Sequence, residues 1–181
     1  MDQVTLVDTK DRAIGTIEKM RAHESPMLHR AFSVFIFDPD GERMLLQKRA
    51  LGKYHSGGLW TNACCSHPGE EETLVETAGK RLLEEMGIDC PLEAVGHFIY
   101  MHRFSEKLYE YEYDHILIGF SGSEPVPDPN EVEATAWLPV ERLREELLLK
   151  PERFTPWFLT AAPIALEYLE TKRDVLAKMS E

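Results

Sequence analysis

The chain has 181 residues, 43% of them hydrophobic, and a formal net charge of −12 at pH 7. That length suits one domain with a sizeable core, and so acidic a balance argues against a nucleic-acid partner, whose binding needs Lys and Arg to neutralise phosphates. Three cysteines form no disulfide framework, no uncharged apolar run nears the roughly 20 residues of a membrane span, and the amino terminus is not signal-like; the expectation is a cytoplasmic single domain over 1–181 with no membrane partner.

In chain order, Val4–Val7 reads as a short strand, and Ile14–Ile17 as a turn into another element. Lys19–His23 follows and is broken by Ser25-Pro26. Ala31–Phe37 and Met44–Lys48 read as strands around the turn signal Asp38-Pro39-Asp40-Gly41, hence a hairpin. After a glycine-rich loop, Leu59–Ala63 reads as another short strand. Glu70–Met86 is the first strong helix, with three glutamates in its first turn, Gly87 as its stop, and a stripe of Leu74, Ala78, Leu82 and either Leu83 or Met86. Leu92–Phe104 and Leu108–Phe120 form a second hairpin about Ser105–Lys107. A proline-rich loop leads to the strand Ala134–Leu138 and a helix from Pro139 to about Leu147. Phe154–Met179 reads as helical, interrupted near Pro163. Helices alternating with hairpins imply an α/β (α+β) sandwich on a mixed sheet.

Chemistry concentrates in two stretches. Trp60-Thr61-Asn62-Ala63-Cys64-Cys65-Ser66-His67-Pro68 sets two thiols beside an imidazole. Such a pair serves acid–base or nucleophilic work, but two cysteines at a strand end also make ordinary buried packing. Tyr109-Glu110-Tyr111-Glu112-Tyr113-Asp114-His115 alternates on a strand, so Glu110, Glu112 and Asp114 share one face and the tyrosines the other. That acidic face is either the wet side of an edge strand or, inside a pocket, a set of mutually repelling carboxylates that calls for a cation. His23, His29 and His67 with Glu110 and Glu112 would make an N₃O₂ set suited to a divalent transition metal, although spacing does not show that they converge.

The helix end Arg81-Leu82-Leu83-Glu84-Glu85-Met86-Gly87-Ile88 resembles the second half of the Nudix box, with two departures. Ser66 stands at the box glycine, and Arg81 stands where a hydrolase carries a glutamate. A guanidinium there grips a diphosphate but neither binds metal nor activates water. That segment, the two stretches above, Leu28-His29-Arg30-Ala31-Phe32-Ser33, Lys48-Arg49-Ala50 and Phe154-Thr155-Pro156-Trp157 together look like the type I isopentenyl-diphosphate isomerases, from about Gly15 to Trp157.

The resemblance implies a Nudix-type α/β/α sandwich with a core of about 30–165, and interconversion of isopentenyl and dimethylallyl diphosphate. The readings it displaces are a Nudix diphosphate hydrolase and a non-catalytic metal- or isoprenoid-diphosphate-binding protein. It further implies Cys65 and Glu112 as opposing acid–base groups, Tyr100 assisting, and Trp157 facing the carbon chain. Lys19, Arg49, Lys53 and Arg81 fall at the diphosphate, and His23, His29, His67, Glu110 and Glu112 at a site for Mn²⁺, Zn²⁺ or another divalent metal. Glu85 and the main-chain carbonyl of Cys65 fall at Mg²⁺ bound with the diphosphate. The expected partner is that small molecule, with the chain a monomer or homodimer.

Overall fold

Strand β3 (His29–Phe37) is the axis of the molecule, and its two faces carry different residues. The structure is a computed structural model and describes residues 3–69 and 72–178, with side chains of the final helix described as far as Lys172. Before β3, β1 (Gln3–Val7) and β2 (Ala13–Glu18) pair antiparallel. The short helix α1 (Lys19–Glu24) follows, its first turn capped by the Glu18 carboxylate, which accepts from the amides of Met20 and Arg21. One edge of β3 pairs in parallel with β8 (Leu108–Phe120) over nine positions, from His29 opposite Glu112 to Phe37 opposite Phe120. β7 (Leu92–Ser105) completes the antiparallel hairpin with β8, its turn narrowed to Glu106-Lys107.

The other edge of β3 is shared. The expected hairpin with β4 (Arg43–Arg49) pairs at only two positions, Ile36 opposite Leu45 and Phe37 opposite Met44. Beyond them the strands diverge, because the segment after the glycine-rich loop is wedged between. It forms not one strand over Leu59–Ala63 but two short ones. β5 (Trp60–Thr61) lies on β4, and β6 (Cys64–Ser66) lies on β3, with Asn62 and Ala63 crossing the fork. β4 also carries β9 (Val132–Pro139) on its far side. Helix α2 (Leu74–Met86) begins later than the sequence reading has it. Glu72 precedes it, and Glu70 and Glu71 lie outside the described residues. Met86 rather than Leu83 completes its stripe, since Met86 is buried and Leu83 is 53% exposed. Gly87 stops the helix at φ 67°, a left-handed turn where a side chain would also strike Val126.

Helix α3 (Val140–Leu149) follows β9, and a 3₁₀ turn at Pro151–Arg153 leads to α4 (Pro156–Lys178). Helix α4 runs through Pro163 without a break. The proline forfeits one backbone bond, but Phe158, Ala161, Ala162, Ala165 and Leu166 stay buried on the sheet, and tertiary packing outweighs one missing bond. Alternation along β3 sorts the two cores: Phe35 and Phe37 pack under α4, whereas Phe32, Val34 and Ile36 pack under α2. Each such side chain contributes about 1.5–3 kcal/mol on burial. The result is a mixed sheet between helices on both faces.

Candidate active site

Along β8, the face that buries Ile116 and Ile118 under α4 continues past the start of that helix as Asp114, Glu112 and Glu110. All three carboxylates are buried. β8 is therefore no edge strand, and its acidic face is the wall of a cavity of about 700 Å³. Strand register sets a row across this wall, with His29 opposite Glu112 on β3 and Tyr100 opposite Glu112 on β7. The Tyr100 hydroxyl lies 2.6 Å from Glu110 Oε2 and 2.6 Å from Glu112 Oε2. Burial and then the two glutamates push its phenol well above the usual range.

The histidines converge. One ligand atom from each of His23, His29, His67 and Glu112 lies within 4.8 Å of the other three. His23 comes from α1, His29 opens β3, and His67 follows β6, so three separate segments meet at one carboxylate. His29 Nδ1 is 2.8 Å from the Met27 carbonyl, which leaves Nε2 facing Glu112 Oε1 at 3.5 Å. His67 Nε2 is 2.9 Å from the same oxygen. Both ring nitrogens of His23, and Nε2 of His29, are buried with no hydrogen-bond partner. Orphaned buried nitrogens call for an explanation, and three imidazoles with one carboxylate form a donor set that fits a divalent metal. Burial holds His23 at about 3 and His67 at about 4, neutral and able to ligate. Burial raises the Glu112 carboxyl, but His29 and His67 facing it outweigh that and leave the group well below the ordinary range. Glu110 stands outside this foursome. Its Oε2 accepts from Tyr100, and its Oε1 lies 2.9 Å from Nε2 of His55.

The adjacent cysteines divide between the two faces. Cys64 is fully buried in the α2 core, whereas Cys65 lines the cavity. The Cys65 sulfur lies 3.1 Å from Asn62 Nδ2, 3.3 Å from Asn62 Oδ1 and 3.5 Å from Ser33 Oγ. Ser33 in turn donates to Asp114 Oδ2 at 2.8 Å. Burial, and then the Asp114 carboxylate, push the Cys65 thiol far up, so it is protonated near neutrality. The Asp114 carboxyl is itself pushed well up by burial and Glu112.

Cations line the same cavity, each already engaged. Lys53 is paired with Glu131, and Arg81 with Glu84 at 2.7 Å and Glu85 at 2.6 Å. Arg49 lies over the Trp157 indole at 5.2 Å, and Lys19 over the Tyr54 ring at 5.7 Å. Burial raises the Glu85 carboxyl although Arg81 sits against it. Trp157 is 3% exposed and lines the cavity from α4. Sequence reasoning missed His55, Ser33, Asn62 and Glu131. Asn62 and Ser33 lie inside stretches already singled out but carry no ionisable group to mark them, and His55 and Glu131 are brought in only by the loop path and by the pairing of Glu131 with Lys53.

The Nudix domain model matches residues 27–158. The isopentenyl-diphosphate Delta-isomerase of Burkholderia multivorans is 50% identical over 157 residues, covering 87% of this chain and 89% of that protein. The chain belongs to the isopentenyl-diphosphate Delta-isomerases of the Nudix family. The Serratia proteamaculans isomerase is 46% identical, covering 88% of each chain. That of Photobacterium profundum is 45% identical, covering 93% of this chain and 94% of its own. Solved structures share the fold at lower identity. DR0079 from Deinococcus radiodurans superposes with a TM-score of 0.66 at 17% identity, covering 82% of this chain and 90% of its own. The MutT protein of Methanosarcina mazei gives 0.63 at 16%, covering 78% and 95%. Among the described residues of this isomerase-family chain no helix is long and apolar enough to cross a membrane.

Proposed function

We propose that this chain interconverts isopentenyl and dimethylallyl diphosphate by adding a proton at one carbon and removing one from another. The observation that carries the reading is the meeting of a protonated thiol, Cys65, and an ionised carboxylate, Glu112, in one cavity rimmed by cations. One group holds a proton to give and the other has room for one, which is the balance an isomerisation needs. No redox cofactor enters that balance. Tyr100, 2.6 Å from Glu112, lies in position to pass a proton to or from that carboxylate.

The diphosphate would take the cationic rim formed by Lys19, Arg49, Lys53 and Arg81. Lys53 and Arg81 then exchange Glu131 and Glu84 for phosphate oxygens, so neither loses an anionic partner on binding. Glu85 and the Cys65 carbonyl would hold Mg²⁺, which supplies neutralising charge to the diphosphate. His23, His29, His67 and Glu112, with Glu110 alongside, would hold Mn²⁺, Zn²⁺ or another divalent ion, which supplies positive charge that keeps Glu112 ionised. The Trp157 indole faces the carbon chain, and cation–π attraction to a carbocation-like state is worth about 2 kcal/mol or more in a dry site. Water has to be excluded while that state exists, since it would trap it as an alcohol.

The test is incubation of the purified protein with isopentenyl diphosphate and divalent metal in deuterated water. Dimethylallyl diphosphate carrying solvent deuterium is the expected product. Release of inorganic phosphate without isomer would overturn the reading in favour of a Nudix hydrolase, although Arg81 lacks the carboxylate that chemistry needs.

A further inference from the structure

We propose that Asn62, at the crossing between β5 and β6, is a positioning residue that holds the Cys65 sulfur in the cavity wall, an inference that rests on the isomerase reading above. Its amide orientation is fixed without reference to the sulfur. Nδ2 donates to the Cys64 carbonyl at 2.8 Å and to the Val34 carbonyl at 3.2 Å. Oδ1 accepts the Thr61 hydroxyl at 2.9 Å, and Thr61 accepts the hydroxyl of Thr155 at 2.9 Å. Flipping the amide would set oxygen against two carbonyls and nitrogen against a donor hydroxyl. Asn62 and Thr155 are fully buried and Thr61 nearly so, where an unmade hydrogen bond is costly.

Held in this way, Asn62 turns its carbonyl oxygen to Cys65: Oδ1 lies 3.3 Å from the sulfur as an acceptor for the thiol hydrogen, while Nδ2, whose two hydrogens go to the Cys64 and Val34 carbonyls, packs against the sulfur at 3.1 Å. The competing acceptor, Ser33 Oγ, is longer at 3.5 Å. The relay also spans two walls. Thr155 stands two residues before Trp157, and its amide donates to the Trp60 carbonyl at 3.0 Å. Through Thr155, Thr61 and Asn62, the indole wall and the thiol wall keep one spacing. Misplacement of a reacting group by about 1 Å can cost on the order of 10²-fold in rate.

The experiment compares Asn62→Ala, Thr61→Val and Thr61→Ser by steady-state kinetics with isopentenyl diphosphate and by vibrational spectroscopy. The S–H stretching band that Cys65→Ser removes identifies the thiol. Asn62→Ala is expected to lower kcat on the order of 10²-fold while KM stays within about twofold, and to move that band to higher frequency as the Oδ1 acceptor is lost. Thr61→Val is expected to lower kcat about fivefold, with Thr61→Ser returning it to near wild type. An unmoved band with unchanged kcat in Asn62→Ala overturns the proposal. If Asn62→Ala does not fold, the Thr61 pair decides, and equal kcat for Val and Ser overturns it. A wild-type protein that makes no isomer sinks the functional reading, while the band shift still reports whether Asn62 holds the thiol.

Discussion

Replacing Cys64 and Cys65 one at a time should split stability from catalysis, because alternation along β6 sends their side chains to opposite faces. Cys64 is 0% exposed among Phe32, Val34, Ala78 and Leu82. Cys64→Ala removes one buried atom about the size of a methylene and leaves a small void, costing about 1 kcal/mol. For a chain of this length that lowers the melting temperature by about 2–4 °C, with kcat nearly unchanged. Cys65→Ala leaves little void, since its side chain already borders the cavity, but it removes an acid–base group worth about 10²–10⁴ in rate. That loss corresponds to about 3–5 kcal/mol of transition-state stabilisation. Thermal melts and initial rates of isomer formation on both variants read the two effects separately. Loss of activity in Cys64→Ala with retention in Cys65→Ala would refute the face assignment and, with it, the placement of the proton chemistry.

The histidine cluster and the cationic rim give the further outcomes. In metal-free protein, burial depresses His23 to about 3 and His67 to about 4, so the unfolded chain binds more protons than the folded one between those values and about 6.5. Stability should therefore fall as pH drops through that window. The net slope is smaller than two protons, because His29, Asp114 and Glu85, all raised in the folded chain, work the other way. NMR titration of the individual imidazoles in metal-free protein isolates the histidine part, and ordinary titration of His23 and His67 near 6.5 would contradict their burial as neutral rings; added Mn²⁺ or Zn²⁺ should raise the melting temperature, and His23→Ala should abolish that rise. For the rim, Arg81→Ala should raise KM for the diphosphate about 10- to 100-fold with a smaller change in kcat, the loss of a charge-assisted contact. It should also raise the Mg²⁺ requirement, because Glu85 loses its 2.6 Å partner and is more readily protonated; a wild-type KM would show that Arg81 serves only to neutralise Glu85.

Much of the site was legible because its chemistry sits in short, dense motifs. The alternation of Glu110, Glu112 and Asp114 states that they share a face, and the adjacency of Cys64 and Cys65 states that they do not. Neither pattern states which face is dry. Whether the acidic side of β8 met solvent or a cavity depended on the far edge of the predicted β7–β8 hairpin being taken by β3, whose residues lie far away in the chain. The helix start slipped from Glu70 to Leu74, since glutamates favour a first turn without defining its boundary. Pro163 was read as a break because local propensity counts one lost bond, not the apolar face that holds α4 to the sheet.

What the sequence determined alone is the inventory: which residues bear protons, metal-ligating atoms and positive charge, and the family that arrangement resembles. Distances belong to the fold. The wedge of Trp60–Ser66 between β3 and β4 gathers Asn62 and Ser33 about the Cys65 sulfur. The parallel pairing of β3 with β8 sets His29 beside Glu112, and α1 brings His23 to them. Alternation groups Glu110 with Glu112, and the fold sets them apart only in their partners, Glu112 meeting His29 and His67 and Glu110 meeting His55, with the Tyr100 hydroxyl between the two. Spacing along a strand gives the face of a side chain, whereas its partner is chosen by the register of the neighbouring strand, and register is a long-range property.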